Sequence, residues 1–237
     1  MRALVILPTY NEAGNVLAIA GGVLAQDPEL EVLVVDDASP DGTGDLVDEA
    51  GRREPRLHLL RRAGKLGLGS AYLAGFRYAL ERDYELVLTM DCDGSHHPRY
   101  LPKMLAAAAE ADLVIGSRYV EGGGVVNWPK RRRLLSRFAN FYTRTLLRVP
   151  TRDCTAGFRC YRRRVLETVD PFTIRGSGYS FLEEMVYRVH HAGFRIAEIP
   201  ILFEQRTHGV SKIDEREIYR TAWHVLITAL LRPDPRR

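Results

Sequence analysis

Residues 31–43 read EVLVVDDASPDGT, and this stretch decides the fold class. Its first five residues are mostly aliphatic and β-branched, as in a strand buried on both faces of a parallel sheet. Asp36 and Asp37 follow directly, and residues 39–43 form a turn that leads into a helix. A pair of acids at this place either caps the helix or binds a ligand such as a ribose hydroxyl, and the stretch alone leaves both readings open.

Alternation of strand and helix continues on both sides of this stretch. We predict further strands at residues 4–7, 57–60, 86–90 and 113–115 and near Phe158 and Ile199, and helices at 12–26, 69–81, 102–111, 134–149 and 214–231. The last helix places one apolar face on Ile218, Ala222, Leu226 and Leu230. This order is typical of an α/β fold with a doubly wound, mostly parallel sheet, flanking helices and, here, a C-terminal amphipathic helix. Such sheets bind ligands at the carboxyl ends of their strands.

Length and composition favour one globular domain over residues 1–237. Hydrophobic residues make up 46% and charged residues 27%, which argues against disorder and against a disulfide-stapled fold. The cysteines are Cys92, Cys154 and Cys160, with no C-x-x-C pair, so we expect a reducing, cytosolic setting and no thiolate zinc site. We also expect no signal peptide and no segment that spans a membrane alone, because that takes about 20 apolar residues.

Positive charge is concentrated in the middle of the chain. The net charge is +4, but residues 118–164 carry 13 basic and 2 acidic side chains, a local charge of +11. Such a block favours a polyanionic partner, which by charge alone is nucleic acid, phospholipid headgroups or a phosphorylated substrate. The alternative is a basic face that is merely solvated.

The residues that follow the predicted strands suggest a metal and diphosphate site. Residues 8–12 lack the G-x-G-x-x-G of a dinucleotide-binding domain. Asp91 and Asp93 follow the strand at 86–90, and two carboxylates at this spacing in extended chain point the same way, toward one hard cation such as Mg²⁺ or Mn²⁺. A D-x-D pair alone is equally a capping motif, but three acidic strand ends at one rim repel one another unless a cation neutralises them. His96 and His97 are either further ligands or turn residues.

Six short motifs follow one another along the chain: residues 8–12 (P-T-Y-N-E), 35–43 (V-D-D-x-S-P-D-G-T), 64–72 (G-K-x-G-L-G-x-A-Y), 91–98 (D-x-D-x-S-H-H-P), 116–119 (G-S-R-Y) and 211–212 (S-K). Together they resemble the inverting family 2 glycosyltransferases of GT-A fold, and more narrowly the polyprenol-phosphate (dolichol-phosphate) mannosyltransferases. Each motif is modest, but the ordered set is specific and spans nearly the whole chain. The resemblance implies that residues up to about 117 form the nucleotide-sugar half, and residues from about 118 the acceptor half and C-terminal helix.

The resemblance also implies roles for individual residues toward GDP-mannose. The guanosine would be held by Pro8, Tyr10, Glu12, Val35 and Asp37. Metal and diphosphate would meet Asp91, Asp93 and the backbone of Cys92, with Ser95 or a neighbour completing the shell of Mg²⁺ or Mn²⁺. Donor phosphates would contact Arg118, Arg206 and Lys212, the last two in a loop that closes over the donor.

The acceptor implied by the resemblance is a polyprenyl (dolichyl) monophosphate, to which mannose is transferred with inversion. Its phosphate oxygen is already anionic near neutral pH, so no strongly perturbed general base is required. Cations must instead hold the two anions in line. From the basic block we predict that Arg132 and Arg133, with Ser136 one turn on, bind the acceptor phosphate, and we place them in the catalytic set with Asp93 and Arg118.

The helix predicted at 134–149 has Leu134, Phe138 and Phe141 near one face and arginines around it. That composition is typical of a helix in a membrane interface, and equally of a core helix with a basic solvated side. The first reading predicts a peripheral protein on the cytoplasmic face of a membrane, recruited by its own helices or by a small membrane-anchoring partner, with no role for nucleic acid.

Two alternatives remain at this point. One is the same reaction with a UDP-sugar, for instance glucosyl transfer, because the Asp37 region does not separate guanine from uracil. The other is a non-catalytic basic module that binds nucleic acid or anionic lipid. Such a module would not need Asp91 and Asp93, and its affinity for nucleic acid would fall steeply with salt.

Overall fold

A mixed seven-stranded sheet forms the centre of the protein. The computed structural model describes residues 2–174, 176, 178–204 and 215–231. The strands are β1 (Ala3–Thr9), β2 (Leu30–Asp36), β3 (Leu57–Arg61), β4 (Leu86–Thr89), β5 (Leu113–Ser117), β6 (Gly124–Val125), β7 (Arg159–Arg162), β8 (Ile196–Pro200) and β9 (Leu202–Phe203). The helices are α1 (Val16–Leu24), α2 (Thr43–Gly51), α3 (Leu68–Leu80), α4 (Leu101–Ala107), α5 (Lys130–Leu147), α6 (Arg163–Val169), α7 (Tyr179–His191) and α8 (Glu215–Leu231).

Strand order in the large sheet is β3-β2-β1-β4-β7-β5-β8, and β6 pairs with β9 in a second, two-stranded sheet. All neighbours in the large sheet are parallel except β7, which is antiparallel to both β4 and β5. The predicted doubly wound, mostly parallel sheet is therefore confirmed. Because β7 runs backwards, its N-terminal end lies at the edge where its parallel neighbours finish. The segment that precedes β7 is thus brought to the ligand-binding rim, which the order of elements along the chain did not reveal.

Two apolar cores cover the two faces of the sheet. Successive residues of a strand point to opposite faces, and in β1 Leu4 and Ile6 enter one core while Val5 and Leu7 enter the other. The first core packs under α3, α6 and α7, and the second under α1, α2 and α4. A Cβ at Gly75 of α3 would lie 2.6 Å from Ile6 Cδ1, so glycine there permits the close approach of α3 to β1.

The helix of the basic block begins earlier than predicted. α5 starts at Lys130, directly after Pro129, so the run of cations forms its first turn. Cations in the first turn oppose the helix dipole, which is why the sequence pattern placed the start at Leu134. The helix ends where Arg148 adopts a left-handed conformation with φ of 54°.

The C-terminal helix α8 packs on α5 and α7. The hydroxyl of Tyr142 donates to the carbonyl of Ala222 at 3.1 Å, and His224 Nε2 lies 2.7 Å from Glu184 Oε2. The buried side of α8 centres on Val225 and Thr228, whereas Leu230, at the end of the predicted apolar row, is exposed. In the described residues, no helix has the length and apolarity needed to cross a membrane.

Candidate functional site

The site lies where β1, β2, β4 and β5 end at one rim of the sheet. The loops after β1 and β2 are fastened to each other by three hydrogen bonds from backbone N–H groups. Asn11, Glu12 and Ala13 donate to Ser39 Oγ, Thr43 Oγ1 and Asp41 Oδ2, each at 3.0 Å. These bonds fix the shape of the rim before any ligand arrives.

The residues predicted to hold the nucleoside are gathered at this part of the rim. Pro8 is paired with Val35 across β1 and β2, and the side chain of Val35 is buried in the core, so this side chain does not reach the rim. Lys65 Nζ lies 4.5 Å from the centroid of the Tyr10 ring, a cation–π contact. Asn15 Nδ2 donates to Glu12 Oε2 at 2.9 Å.

Asp37 is buried and already engaged by the loop that follows β3. Its Oδ2 accepts from the backbone N–H of Leu66 at 3.1 Å, and Arg62 Nε lies 3.2 Å from its Oδ1. Asp37 therefore holds this loop against the end of β2. Its contact with a nucleoside stays a prediction.

The D-x-D segment presents its two carboxylates differently. The side chain of Asp91 is 30% exposed and Tyr72 Oη donates to its Oδ1 at 3.4 Å. Asp93 is buried, and its Oδ1 accepts from the backbone N–H of Ser95 at 3.0 Å and from its hydroxyl at 2.5 Å. Between them, Cys92 points into the core, where burial and the charges of Glu12, Asp93 and Asp91 raise the pKa of its thiol.

These carboxylates fit a divalent cation that arrives with a phosphate ligand. In the described part of the chain, no three His, Cys, Asp or Glu side chains are grouped as a ready-made metal cage. Mg²⁺ in phosphate-transfer sites nevertheless takes only one or two protein carboxylates, together with substrate phosphates and water. Asp91 and Asp93 meet that requirement, whereas the Ser95 hydroxyl is used to hold Asp93, and its role as a direct ligand stays a prediction.

The two histidines of the segment act within the turn. His96 Nδ1 accepts from the backbone N–H of Asp91 at 3.0 Å, and the ring stacks on Phe158 with 5.2 Å between centroids. Burial lowers the pKa of His96, so the ring is neutral at neutral pH. His97 Nδ1 accepts from the backbone N–H of Arg99 at 3.1 Å and caps a short 3₁₀ turn. This geometry favours the reading of both as turn residues.

Arg118, predicted to contact phosphates, is buried at the end of β5 in a bidentate ion pair. Its Nε and Nη2 donate to the two carboxylate oxygens of Asp153 at 2.8 and 2.6 Å, and Nη2 also donates to Thr155 Oγ1 at 2.7 Å. Asp153 lies in the segment that the antiparallel β7 brings to the rim. Sequence reasoning missed Asp153, although it is one of two acids in the basic block.

An apolar cavity of about 340 Å³ connects the acidic rim to the helices α5, α7 and α8. Asp91, Arg118, Arg132 and Ser136 line one part of it. Its apolar wall includes Leu68, Leu135, Phe138, Ala139, Tyr142, Leu182, Ala222 and Val225. One cavity therefore offers carboxylates, guanidinium groups and a hydrocarbon surface in succession.

The structure separates the two arginines predicted to bind the acceptor phosphate. Arg132 lines the cavity, and its Cζ lies 4.0 Å from the centroid of the Trp128 ring. Ser136 also lines it, and Tyr119 Oη donates to Ser136 Oγ at 2.7 Å. Arg133 is exposed and is not part of the cavity wall. Arg206 and Lys212 lie outside the described residues.

Glu183 of α7 is a buried acid in the cavity wall that sequence reasoning also missed. Its Oε1 accepts from Thr143 Oγ1 at 2.9 Å, and its Oε2 has no hydrogen-bond partner among the described residues. Burial raises the pKa of Glu183 to about 8, against the lowering effects of Thr143 and of the charge on Arg159. The available signal was an acid flanked by the apolar residues Phe181, Leu182, Met185 and Val186.

Comparison with known proteins identifies the family. The model of glycosyl transferase family 2 matches residues 4–170. The chain is 49% identical over 226 residues to the polyprenol monophosphomannose synthase of Mycolicibacterium smegmatis, covering 94% of this chain and 85% of that protein. It is 48% identical over 213 residues to the undecaprenyl-phosphate mannosyltransferase of Micrococcus luteus, covering 90% of this chain and 88% of that protein.

Solved structures show the same fold at lower identity. Glucosyl-3-phosphoglycerate synthase from Mycobacterium tuberculosis, solved with Mn²⁺, UDP and glucosyl-3-phosphoglycerate, has a TM-score of 0.68 and 18% identity, covering 98% of this chain and 80% of that one. A mannosyltransferase from Pyrobaculum calidifontis, solved with GDP-Man and Mn²⁺, has a TM-score of 0.59 and 18% identity, covering 97% of this chain and 73% of that one. The predicted GT-A-like architecture is confirmed, and the chain belongs to glycosyl transferase family 2.

Proposed function

We propose that this glycosyltransferase moves mannose from GDP-mannose to a polyprenyl monophosphate, with inversion at the anomeric carbon. The observation that carries the proposal is the cavity of about 340 Å³, which places the phosphate-binding chemistry of Arg132 and Ser136 beside both the acidic rim and an apolar wall. A ligand in which a phosphate is joined to an isoprenoid chain fits this cavity, because the phosphate can bind at Arg132 and Ser136 while the hydrocarbon chain lies along the apolar wall. The two curated relatives, named for mannosyl transfer to polyprenyl phosphates, support the same acceptor and sugar.

The reaction is a single displacement. A phosphate oxygen of the acceptor forms a bond to the anomeric carbon, the bond from that carbon to the diphosphate oxygen breaks, and its electron pair leaves with GDP. Because the new bond forms opposite the old one, the configuration inverts. The attacking oxygen is already anionic, so no side chain has to remove a proton.

The residues of the cavity then have the task of holding two anions close together. Arg132 and Ser136 position the acceptor phosphate, and the guanidinium of Arg118 contributes positive charge at the end of β5. Asp153 fixes Arg118 in one orientation through the bidentate pair, which lowers the entropy cost of positioning it. When bound at Asp91 and Asp93, Mg²⁺ or Mn²⁺ supplies positive charge to the diphosphate leaving group.

The donor assignment rests on Pro8, Tyr10, Glu12, Asp37 and the mannose named in the relatives. The fold alone does not select the base, because structures of this fold are known with UDP and with GDP-Man. A UDP-sugar therefore remains the alternative donor. Arg206 and Lys212 keep their proposed contacts with the donor phosphates.

We also propose that the protein works at the cytoplasmic face of a membrane, where a lipid acceptor is met. On α5, Leu134, Phe138 and Phe141 are 71%, 62% and 66% exposed, and on α8 Trp223 is 64% exposed. These apolar side chains lie on helices rich in arginine or next to the cavity, an arrangement that supports the membrane-interface reading of α5 over the core reading. Recruitment by a small membrane-anchoring partner is compatible with the same surface.

One assay tests the proposal. The protein is incubated with a short, detergent-soluble polyprenyl phosphate and with GDP-mannose, UDP-glucose or UDP-GlcNAc, in Mn²⁺ or in EDTA, and sugar in the lipid phase is counted. We expect mannose to enter the lipid phase in a metal-dependent way. Transfer of glucose alone would select the UDP-sugar alternative. No transfer from any donor, combined with nucleic-acid binding that falls steeply with salt, would instead support the non-catalytic module.

A further inference from the structure

A second cavity, of about 480 Å³, lies on the side of α5 opposite the apolar cavity. Positions three and four apart share a face of a helix, and Arg137, Asn140, Phe141 and Arg144 line this second cavity, which we call the arginine pocket. Arg118, Tyr119, Val120, Gly123 and Arg152 complete its wall. Four guanidinium groups therefore converge on one pocket, and three of them, Arg137, Arg144 and Arg152, do not line the reaction cavity.

Three of these guanidinium groups have no acidic partner in the described part of the chain. The side chains of Arg137, Arg144 and Arg152 take part in none of the ion pairs found there, and Arg144 Nε is buried without a hydrogen-bond partner. Arginines elsewhere mostly pair with carboxylates, as Arg188 does with Glu184 at 2.6 Å. The pocket thus holds donors and positive charge without the acceptors that usually accompany them.

Two acidic side chains near the pocket already accept hydrogen bonds from other groups of the protein. Asp153 is bound by Arg118, and the two oxygens of Glu198 accept from the backbone N–H groups of Arg152 and Asp153 at 2.8 and 3.0 Å. Glu121 is exposed and is not in the wall. The charge that remains matches an anion with several oxygens, and planar guanidinium groups bind phosphate in a bidentate manner.

The position of the pocket distinguishes among phosphate ligands. Phe141 forms part of its wall and is also 66% exposed, in the same row as Leu134 and Phe138. The pocket therefore borders the surface that the proposed function places against a membrane. The proposed function places the acceptor phosphate at Arg132 and Ser136, on the other side of α5.

We propose that the arginine pocket binds the phosphodiester headgroup of an anionic phospholipid and so fixes how α5 sits on the membrane. The proposal rests on the membrane association included in the proposed function. Phe141 enters the interface beside the bound lipid, while Arg137, Arg144 and Arg152 hold its phosphate. The attraction between the protein and anionic phospholipids is then concentrated at the arginine pocket and is not spread evenly over the basic helix α5.

Two double variants of the same helix test this. Arg137→Gln with Arg144→Gln removes two charges from the pocket, and Lys130→Gln with Arg131→Gln removes two exposed charges outside it. Binding is measured by cosedimentation with phosphatidylcholine vesicles with and without phosphatidylglycerol, and by calorimetry with monomeric dihexanoyl-phosphatidylglycerol. Circular dichroism verifies that both variants fold, and transfer to the short, detergent-soluble acceptor is measured in parallel.

We expect the pocket pair to weaken binding to phosphatidylglycerol vesicles at least about tenfold more than the control pair does, because it removes charge-assisted hydrogen bonds as well as charge. Dihexanoyl-phosphatidylglycerol should bind the native protein, resist an equal concentration of inorganic phosphate, and fail to bind the pocket variant. Equal losses in the two variants would mean diffuse attraction and overturn the proposal. Displacement by inorganic phosphate would assign the pocket to free phosphate and also overturn it.

The transfer assay separates this proposal from the proposed function. The pocket variant should keep its activity with the soluble acceptor, because Arg137 and Arg144 lie outside the reaction cavity. Loss of that activity would mean that the pocket serves the acceptor phosphate, against the headgroup proposal. A native protein that binds phosphatidylglycerol through the pocket but transfers no mannose would refute only the proposed reaction.

Discussion

Replacing Glu183 by Gln should remove a penalty on stability that grows as the pH rises. In the folded protein the carboxyl is buried, with Thr143 donating to one oxygen, and burial raises its pKa from 4.5 to about 8. In the unfolded chain it is exposed and ionises near its ordinary value. Between these two values the folded state holds a proton that the unfolded state has released, so higher pH favours unfolding. The amide of Gln is neutral throughout and keeps the hydrogen bond from Thr143.

The size of the effect follows from the two pKa values. One pKa unit corresponds to about 1.4 kcal/mol, so the full difference for Glu183 amounts to roughly 5 kcal/mol above pH 8. Stability conferred by the protonated carboxyl is fully present below about pH 4.5 and is lost progressively up to about pH 8. From about pH 5.5 to about pH 8, the native protein should therefore lose roughly 3 kcal/mol relative to Glu183→Gln.

Urea unfolding at several pH values measures this difference. Other groups titrate in the same range, but they contribute equally to both proteins and cancel in the comparison. Glu49→Gln is the matched control, because the Glu49 side chain is 68% exposed and pairs with Arg53 at the surface. Parallel stability curves for the native protein and Glu183→Gln over this range would refute the claim that burial keeps Glu183 protonated.

Three further predictions concern the reaction and its supports. EDTA should abolish mannosyl transfer and Mn²⁺ or Mg²⁺ should restore it, while Asp93→Ala should lose most activity with an unchanged circular dichroism spectrum. Full activity of this variant in EDTA would exclude the metal role of Asp93. Arg132→Gln should lower kcat/KM for a soluble polyprenyl phosphate by about tenfold or more with GDP affinity unchanged, whereas Arg131→Gln should match the native enzyme; similar losses in both would point to general charge. Asp153→Asn should cost about 3 kcal/mol or more in urea unfolding, since it leaves a buried guanidinium without its counter-charge, and a loss under about 1 kcal/mol would contradict that account.

Several parts of the fold were predictable because they depend on local pattern. The aliphatic runs that became β1, β2, β4 and β5 are buried strands, and β3 is a partly buried edge strand. Because strand ends in a parallel sheet share one rim, the sequence predicted that Asp37, Asp91 and Asp93 lie at the same edge of the sheet. The helix α7 was not predicted, because Glu183 and Glu184 interrupt its apolar pattern. Both acids are buried in the structure, where Glu184 pairs with Arg188 and His224.

The sequence by itself determined the sheet, the acidic rim and the basic block, since each follows from the order of neighbouring residues. Only the tertiary structure decided which cations of that block face which cavity. Arg132 and Arg133 are adjacent in the chain, yet only Arg132 lines the apolar cavity, because successive helical residues point about 100° apart. Asp153 meets Arg118 because β7 is inserted antiparallel between β4 and β5. The raised pKa of Glu183 depends on its burial in the packed core, where its carboxyl contacts Thr143 of α5, 40 residues away along the chain. Local pattern carries no information about such contacts, because they form only when distant segments pack together.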